Sequence, residues 1–367
     1  MVRNGMIGIV IFIFTSIMLV NQAFGQDTVT RKLIPKLEYA AYTGRLIAHH
    51  ADMKHLSQQP YVGNELRLGF QTTGSQYWQQ LLKYPTFGVG LYSGYFNNKI
   101  IGNPMALFGF MEMPFKRFGH AALSTSWSAG CTFNINEYDS ITNPLNNAIG
   151  TDLNVYIDFS LLYKQQFKNN WEWGGGIKFQ HFSNGAIKYP NYGLNMVTLQ
   201  ATLSFMMGKP FAGFQTGSPE PIVKKYEIYV FEGVGWCGKN MAEPNVKYFN
   251  NSLSLGYNYR INQKRMIGFG ADVFYNEENS ENFVGREMST QDYVSYAGFL
   301  STDLLANKFR MSVQLGFYLY KPVDYWLPFY ERVALRYYFV PWAFANVSLK
   351  AHAAKAQYVE YGIGWVF

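Results

Sequence analysis

Cysteine and charge are both scarce in this chain of 367 residues. Cys131 and Cys237 are its only cysteines, so the sequence has neither a metal-binding cysteine cluster nor a disulfide framework. The two thiols fall in strand-like segments far apart in sequence, which argues against their pairing. Charged residues make up 15% of the chain, with a net charge of +7. In an exported chain this excess suits contact with anionic lipid head groups and does not indicate nucleic acid.

Long apolar runs are missing beyond the N-terminal segment. No later run reaches the ~18–20 apolar residues of a membrane helix, which excludes helical spans from the predicted mature chain. The N-terminal segment has the pattern of a secretory signal, with Arg3 before the uncharged run 6–20 and small residues before Gln26. We predict residues 1–25 as a signal peptide. No cysteine lies near the cleavage point, so a lipoprotein is not expected.

Aromatic residues and strict alternation are what the chain has in abundance. It contains 28 Tyr, 30 Phe and 8 Trp. Between residues 308 and 319 every odd position is apolar, and the even positions from 308 to 316 are polar or small. Residues 357–367 alternate in a similar way. Together with Phe367 at the end, this pattern predicts an all-β transmembrane antiparallel barrel of the outer membrane, with apolar side chains facing lipid.

Sixteen segments show this strand pattern, an even number as single-chain bacterial barrels require. The predicted strands are 34–47, 62–72, 86–95, 104–113, 119–133, 152–165, 171–183, 193–206, 226–236, 247–261, 266–276, 293–305, 308–321, 329–339, 343–352 and 357–367. Short connections such as 261–264 are expected in the periplasm, and long ones such as 134–151 outside. The connection 73–85 is long where a short turn is expected, and we predict a helical turn there.

Residues 208–225 are the clearest break in the pattern, with three prolines in a strand-free stretch. They divide the mature chain into halves 26–207 and 226–367, each with eight predicted strands. One barrel of about sixteen strands, with 208–225 as a long periplasmic turn, is the preferred interpretation. Two eight-stranded barrels in tandem, joined by a linker, are the alternative.

A histidine and a serine lie two residues apart at the end of the predicted strand 171–183. Residues two apart on a strand point the same way, and a base beside a hydroxyl is the minimum equipment for acyl transfer. His181 and Ser183 belong to the odd, apolar face and should look outward, and Asn195 shares that face on the next strand. The strand count puts this cluster at the extracellular rim. From the pattern alone, ordinary interface residues at a strand end explain the pair as well.

The run His181-Phe182-Ser183-Asn184-Gly185-Ala186, followed by Pro190-Asn191-Tyr192-Gly193, resembles the signature of the outer-membrane lipid A 3-O-deacylases, the PagL or acyloxyacyl hydrolase-like family. The resemblance covers residues 34–207 and leaves the second half outside. It implies an eight-stranded barrel that removes an ester-linked acyl chain from lipid A in the outer leaflet. It also implies that no cofactor or metal takes part.

The same resemblance implies roles for individual residues. His181 would be the general base and Ser183 the nucleophile, with Asn184 and Asn191 near the oxyanion by backbone or side chain. The family has a glutamate at the position of Asn195. An asparagine can orient an imidazole, but it cannot supply the charge that stabilises an imidazolium. The sequence therefore leaves undecided whether Asn195 serves as the third member of the triad and whether the site is catalytically competent.

Two other polar clusters have plainer explanations. The first comprises the loop histidines His49, His50 and His55, for which solvation is the simpler interpretation and a metal site the alternative. The second is predicted to face the barrel interior and to form an ion network there rather than a second site; its members are Arg336, Lys350, His352 and Glu360.

These observations predict an outer-membrane serine esterase that acts on lipid A of lipopolysaccharide. The competing hypothesis is a non-catalytic barrel, a channel or a transporter, in which the motif is vestigial. A sixteen-stranded barrel would be wide enough to hold a pore. Nothing in the sequence specifies an oligomeric state or the acyl position that is cut.

Overall fold

The computed structural model describes residues 33–207, 221–283 and 285–367. The predicted signal peptide 1–25 and residues 208–220 of the predicted break lie outside the described residues. The described chain is all-β, and its sixteen strands follow one another in antiparallel order. Within these residues no helix has the length and apolar character to span a membrane.

The first eight strands form a closed barrel. They are β1 (Ile34–Leu46), β2 (Tyr61–Gln71), β3 (Thr86–Tyr95), β4 (Gly102–Phe118), β5 (Ala121–Ile135), β6 (Asn154–Lys168), β7 (Trp171–Ser183) and β8 (Leu194–Met206). Strand β8 pairs back onto β1 from Lys36↔Met206 to Leu46↔Met196, so no edge strand is left over.

The last eight strands close into a second barrel. They are β9 (Tyr226–Gly238), β10 (Lys247–Arg260), β11 (Arg265–Asn276), β12 (Val294–Ala306), β13 (Phe309–Tyr320), β14 (Phe329–Val340), β15 (Ala343–His352) and β16 (Lys355–Val366). Closure comes from the pairing of β16 with β9, from Val359↔Trp236 to Val366↔Tyr229.

The prediction of sixteen strands is confirmed, and the preferred single sixteen-stranded barrel is wrong. Two closed eight-stranded barrels are present instead, which was the alternative. Alternation reports which residues lie on one face of a strand, but it does not say which later strand supplies the closing hydrogen bonds. The described residues divide into two compact units, one of 33–184 with 190–207 and the other of 185–189 with 221–283 and 285–367.

The connections of the first barrel are unequal at its two ends. One end has the connections 47–60, 96–101, 136–153 and 184–193, and the other has the two-residue turns 119–120 and 169–170 together with the longer connection 72–85. The helical turn predicted in 73–85 is confirmed as α1 (Tyr77–Leu81). Three short 3-10 helices also lie in connections, at Ala51–Leu56, Glu277–Asn282 and Thr290–Asp292. The candidate site lies at the end with the long connections.

Strand β4 extends beyond the predicted segment 104–113 at both ends. Its two prolines explain the difference, because proline has no N–H to contribute to a ladder. The pairing of β4 with β5 shifts between Gly102 and Met105, around Pro104, and again between Pro114 and Lys116. Local irregularities of this kind let a strand continue past a proline that would otherwise end it.

Charged and aromatic side chains fill the interior of the first barrel, among them those at the even-numbered positions of β7. Lys178 Nζ lies 2.5 Å from Glu65 Oε1 and 3.4 Å from Asp158 Oδ2, and Arg67 Nη2 lies 2.7 Å from Glu65 Oε2. An aromatic cluster packs in the same interior: Tyr42, Tyr61, Tyr92, Phe96, Phe108, Tyr156 and Phe182. Buried charges are tolerated here because each cation faces carboxylates at close range.

The second barrel also has a charged interior. The four residues predicted to face inward are all buried there: Arg336, Lys350, His352 and Glu360. Arg332, which sequence reasoning overlooked, pairs with both Asp272 (3.1 Å) and Glu360 (2.9 Å). His352 stacks on Trp326, with ring centroids 4.5 Å apart. The inward orientation is thus confirmed, with Arg332 rather than the predicted residues as the main partner of Glu360.

The outward faces of both barrels are apolar, as the alternation predicts. Large aliphatic side chains such as Leu66, Leu199 and Leu300 are more than half exposed. An exposed apolar surface around a charged interior is the reverse of a water-soluble barrel and is typical of barrels that face lipid.

The two cysteines do not pair with each other. Cys131 and Cys237 are both buried free thiols.

Removing one interior cation should destabilise the first barrel. We expect Lys178→Met to lower the free energy of unfolding by about 3 kcal/mol, because it leaves Glu65 and Asp158 buried with less compensation. Urea unfolding of the detergent-solubilised protein, followed by tryptophan fluorescence, measures the change. Lys54→Met, at an exposed position of the 47–60 connection, is the matched control and should be neutral. Equal stabilities for both variants would contradict a supporting role for Lys178.

Candidate active site

The end of strand β7 is held in place from inside the barrel. Gln180 accepts a hydrogen bond from Tyr61 Oη and donates one to Tyr156 Oη at 3.1 Å. Phe182 is fully buried, and its ring centroid lies 5.7 Å from that of Tyr92 and 5.5 Å from that of Tyr156. With the even positions packed inward, the odd positions must point outward. The C-terminal end of β7 therefore presents His181 and Ser183 on the outer wall.

His181 and Ser183 are in direct contact. The Nε2 of His181 lies 2.8 Å from Ser183 Oγ, the distance of a hydrogen bond between a hydroxyl and an imidazole. His181 is half-buried and Ser183 is buried, although both belong to the outward face. A serine hydroxyl within reach of an imidazole nitrogen is the arrangement of an activated nucleophile.

Asn195 completes a line of three side chains. The pairing of β7 with β8 sets His181 directly opposite Asn195, and the Nδ1 of His181 lies 2.6 Å from Asn195 Oδ1. Leu194 and Met196, on either side of Asn195, are fully buried and hold this part of β8 against the interior. The amide oxygen can therefore accept from Nδ1–H, which leaves Nε2 free to accept the serine proton.

The absence of a side chain at Gly193 leaves space for the imidazole of His181. The φ of Gly193, +76°, lies in the left-handed region, and a Cβ built there would lie 2.9 Å from His181 Cε1 and 3.0 Å from the Phe182 carbonyl oxygen. Its N–H donates to the carbonyl of Ala148 at 2.9 Å. A side chain at this position would be strained in its backbone and would also displace the imidazole.

Asn184 and Asn191 are brought together at the mouth of the 184–193 connection. The backbone N–H of Asn184 donates to Asn191 Oδ1 at 2.9 Å. Sequence reasoning left open whether backbone or side chain supplies the oxyanion donors. This hydrogen bond occupies the Asn184 N–H and orients Asn191 Oδ1 toward Asn184. Asn191 Nδ2 therefore points away from Asn184.

One member of the site was missed by sequence reasoning, which treated it as a solvated loop histidine. His49 follows β1 and lies beside Asn195, with 3.2 Å between His49 Nδ1 and Asn195 Nδ2. Its Nε2 lies 3.1 Å from the carbonyl oxygen of Tyr192. The signal that could have revealed it is the closure of the barrel, since β1 pairs with β8 and brings Ile47 next to Asn195.

The other loop histidines do not join this line. His50 stacks on the ring of Tyr192 at 4.3 Å between centroids, and His55 Nε2 contacts the carbonyl oxygen of Leu145 at 2.8 Å. No group of three or more His, Cys, Asp or Glu side chains is arranged to hold a metal ion in the part of the chain that the structure describes. Ser183, His181 and Asn195 are arranged as a hydroxyl, a base and a group that can orient the base.

The solved structures that match this chain have low sequence identity and low TM-scores. A quintuple mutant of Rh. blastica porin is 7% identical over 92% of this chain and 99% of its own, with a TM-score of 0.18. A bacterial polysaccharide outer membrane secretin is 11% identical over 91% of this chain and 98% of its own, with a TM-score of 0.20. TM-scores of this size do not indicate a common fold. No curated protein matches the chain.

Comparison with family models is informative for both barrels. Residues 64–204 match the lipid A 3-O-deacylase (PagL) family, which confirms the resemblance inferred from the motif. Residues 224–367, which the motif left without an assignment, match the C-terminal domain of acyloxyacyl hydrolase. The chain therefore carries a lipid A 3-O-deacylase (PagL) domain followed by an acyloxyacyl hydrolase C-terminal domain.

Proposed function

We propose that this chain is a serine esterase of the outer membrane that removes an ester-linked acyl chain from lipid A of lipopolysaccharide. The observation that carries the proposal is the line Ser183–His181–Asn195, with contacts of 2.8 and 2.6 Å, on the outer wall of a domain of the lipid A 3-O-deacylase family. The family match supplies the substrate class, and the geometry supplies the reaction type.

The chemistry follows from the protein groups alone. Ser183 Oγ attacks the acyl carbonyl while His181 Nε2 takes its proton, and the resulting imidazolium is held by Asn195 Oδ1. His181 then protonates the sugar oxygen that leaves. Water, deprotonated by the same histidine, attacks the acyl-enzyme and releases the fatty acid, which restores the serine. No redox step is required, and atoms and protons balance over the two half-reactions.

The placement of the site suits a substrate that stays in a membrane. His181 and Ser183 lie on the outward face of β7, whose neighbouring outward side chains Ile177 and Phe179 are exposed and apolar. We propose that the barrel spans the outer membrane with its long connections outside, so that the site meets the outer leaflet at head-group level. A polar pair on a lipid-facing wall is least costly there, near the interface.

The competing hypothesis of a channel or transporter loses its main physical support. It rested on a barrel of sixteen strands, whereas each observed barrel has eight and is filled by its own side chains. An eight-stranded barrel has an interior just wide enough for side chains. No observation in the described residues favours a channel.

The first test is the acyl composition of lipid A. We expect lipid A from cells that express the chain to lose one acyl group relative to cells without the gene, as measured by mass spectrometry. Ser183→Ala and His181→Ala should restore the full acyl number, because each removes a group needed for acyl transfer. Ser57→Ala, in the 47–60 connection and outside the line Ser183–His181–Asn195, should behave as the wild type.

Heat-dependent electrophoretic mobility in SDS shows whether each of these variants is folded. An unchanged acyl number in every strain with folded protein would contradict the esterase proposal. In that case, conductance across planar bilayers would support the channel.

The second test concerns the oxyanion donor, for which we propose Asn191 Nδ2. Asn191→Ala should lower kcat about 100-fold, the usual cost of one lost oxyanion donor. Asn191→Asp keeps an oxygen for the Asn184 N–H but loses the Nδ2 donor and adds a negative charge. It should therefore lose at least as much. If Asn191→Asp keeps wild-type kcat, the residue only supports the connection and is not an oxyanion donor.

The third test concerns the missing charge of the triad. Asn195→Asp is nearly isosteric and would place a carboxylate about where Oδ1 now meets His181 Nδ1. A charged acceptor binds more strongly than a neutral one, and we expect kcat to rise about tenfold. The family's residue, in Asn195→Glu, is longer by one methylene and should give a smaller gain. An unchanged or lower kcat for both variants would show that the amide already supports full activity.

A further inference from the structure

His49 lies beyond the three residues that the motif suggests, and its contacts extend their line. Asn195 is the point of contact, because its amide has Oδ1 toward His181 and Nδ2 toward His49. We propose that His49 is a positioning residue that sets the direction of the Asn195 amide and thereby the tautomer of His181. The inference deepens the proposed esterase function and rests on it.

The direction of an amide matters in this site where that of a carboxylate would not. A carboxylate offers an acceptor oxygen on either side, but an asparagine offers an acceptor on one side and a donor on the other. If Asn195 were reversed, Nδ2 would face His181 Nδ1 and favour the tautomer with the proton on Nε2. That tautomer cannot accept the proton of Ser183, so a reversed amide disables the base.

A backbone carbonyl fixes the direction of the whole line. The Tyr192 carbonyl oxygen can only accept, so His49 Nε2 must be the protonated nitrogen at their 3.1 Å contact. His49 Nδ1 is then a lone-pair acceptor and receives Nδ2–H of Asn195 at 3.2 Å. Asn195 Oδ1 accordingly accepts from His181 Nδ1–H. Every hydrogen bond from Tyr192 to Ser183 points the same way as a consequence.

One contact competes with this arrangement. His49 Nδ1 also lies 3.4 Å from the carbonyl oxygen of Ile47, which would favour a proton on Nδ1. That tautomer would set two donors against each other, Nδ1–H of His49 and Nδ2–H of Asn195, and it would leave two acceptors facing each other at Tyr192. The tautomer with Nε2–H satisfies both shorter contacts and is the one we assign.

The experiment compares His49→Ala in two backgrounds. In the wild-type background, we expect kcat for fatty-acid release from lipid A micelles to fall about tenfold with little change in KM, the size of one lost hydrogen bond that orients a catalytic group. In the Asn195→Asp background, the same substitution should cost less than about twofold, because a carboxylate has no wrong orientation. Equal losses in the two backgrounds would overturn the proposal.

Two further variants separate positioning from loop stability. His49→Gln can offer an amide oxygen to Asn195 Nδ2 and should recover part of the lost kcat. His55→Ala removes a histidine from the same connection that contacts Leu145 instead, and should keep wild-type kcat. A loss in His55→Ala as large as that in His49→Ala would show that the connection as a whole is responsible, and would overturn the assignment.

A spectroscopic readout keeps this inference distinct from the proposed function. With ¹⁵N-labelled histidine, the imidazole shifts of His181 in micelles report which nitrogen carries the proton. We expect Nδ1–H in the wild type and a larger Nε2–H fraction in His49→Ala. If lipid A is not hydrolysed at all, the esterase proposal fails while this measurement still decides the inference. An identical His181 tautomer in both proteins would overturn the role of His49.

Discussion

An eight-stranded barrel encloses a space only wide enough for its own side chains, and this constraint shapes both halves of the chain. The interior of the first barrel is occupied by the carboxylates around Lys178 and Arg67 and by a layer of aromatic rings. No substrate can be processed inside such a filled space. Chemistry is therefore restricted to the outer wall and the connections, which is where His181 and Ser183 are found.

The interior and the site are connected through one strand. Gln180 and Phe182 anchor β7 from inside, and the residues between and after them, His181 and Ser183, are thereby aimed outward. Because a strand alternates its side chains, the packing of the even positions inside the barrel sets the outward direction of the odd positions. The charge pairs and aromatic packing of the barrel thus support the position of the base and the nucleophile in the proposed site.

An amide at Asn195, where the resemblance of the motif implies a carboxylate, changes what the rest of the proposed site must do. A negative charge would both orient and stabilise the imidazolium, while an amide does only the first and does so in only one of its two directions. The neighbouring His49 and the Tyr192 carbonyl meet that need from the other side. A carboxylate would orient the imidazole by itself. Here the proposed orientation of His181 depends on Asn195 together with residues of the 47–60 and 184–193 connections.

Sequence alone determined the sixteen strands, the outward face of His181, Ser183 and Asn195, and the family of the first domain, because alternation and a compact motif are local properties. Only the tertiary structure decided that β8 closes on β1, since the pairs that seal this barrel, from Leu46↔Met196 to Lys36↔Met206, join residues 150 to 170 positions apart. That closure brings His49 to Asn195, and the separate closure of the second barrel brings Glu360 to the side of Arg332 that is away from Asp272. Contacts of this kind depend on which strands become neighbours, and no periodicity within a strand records that choice.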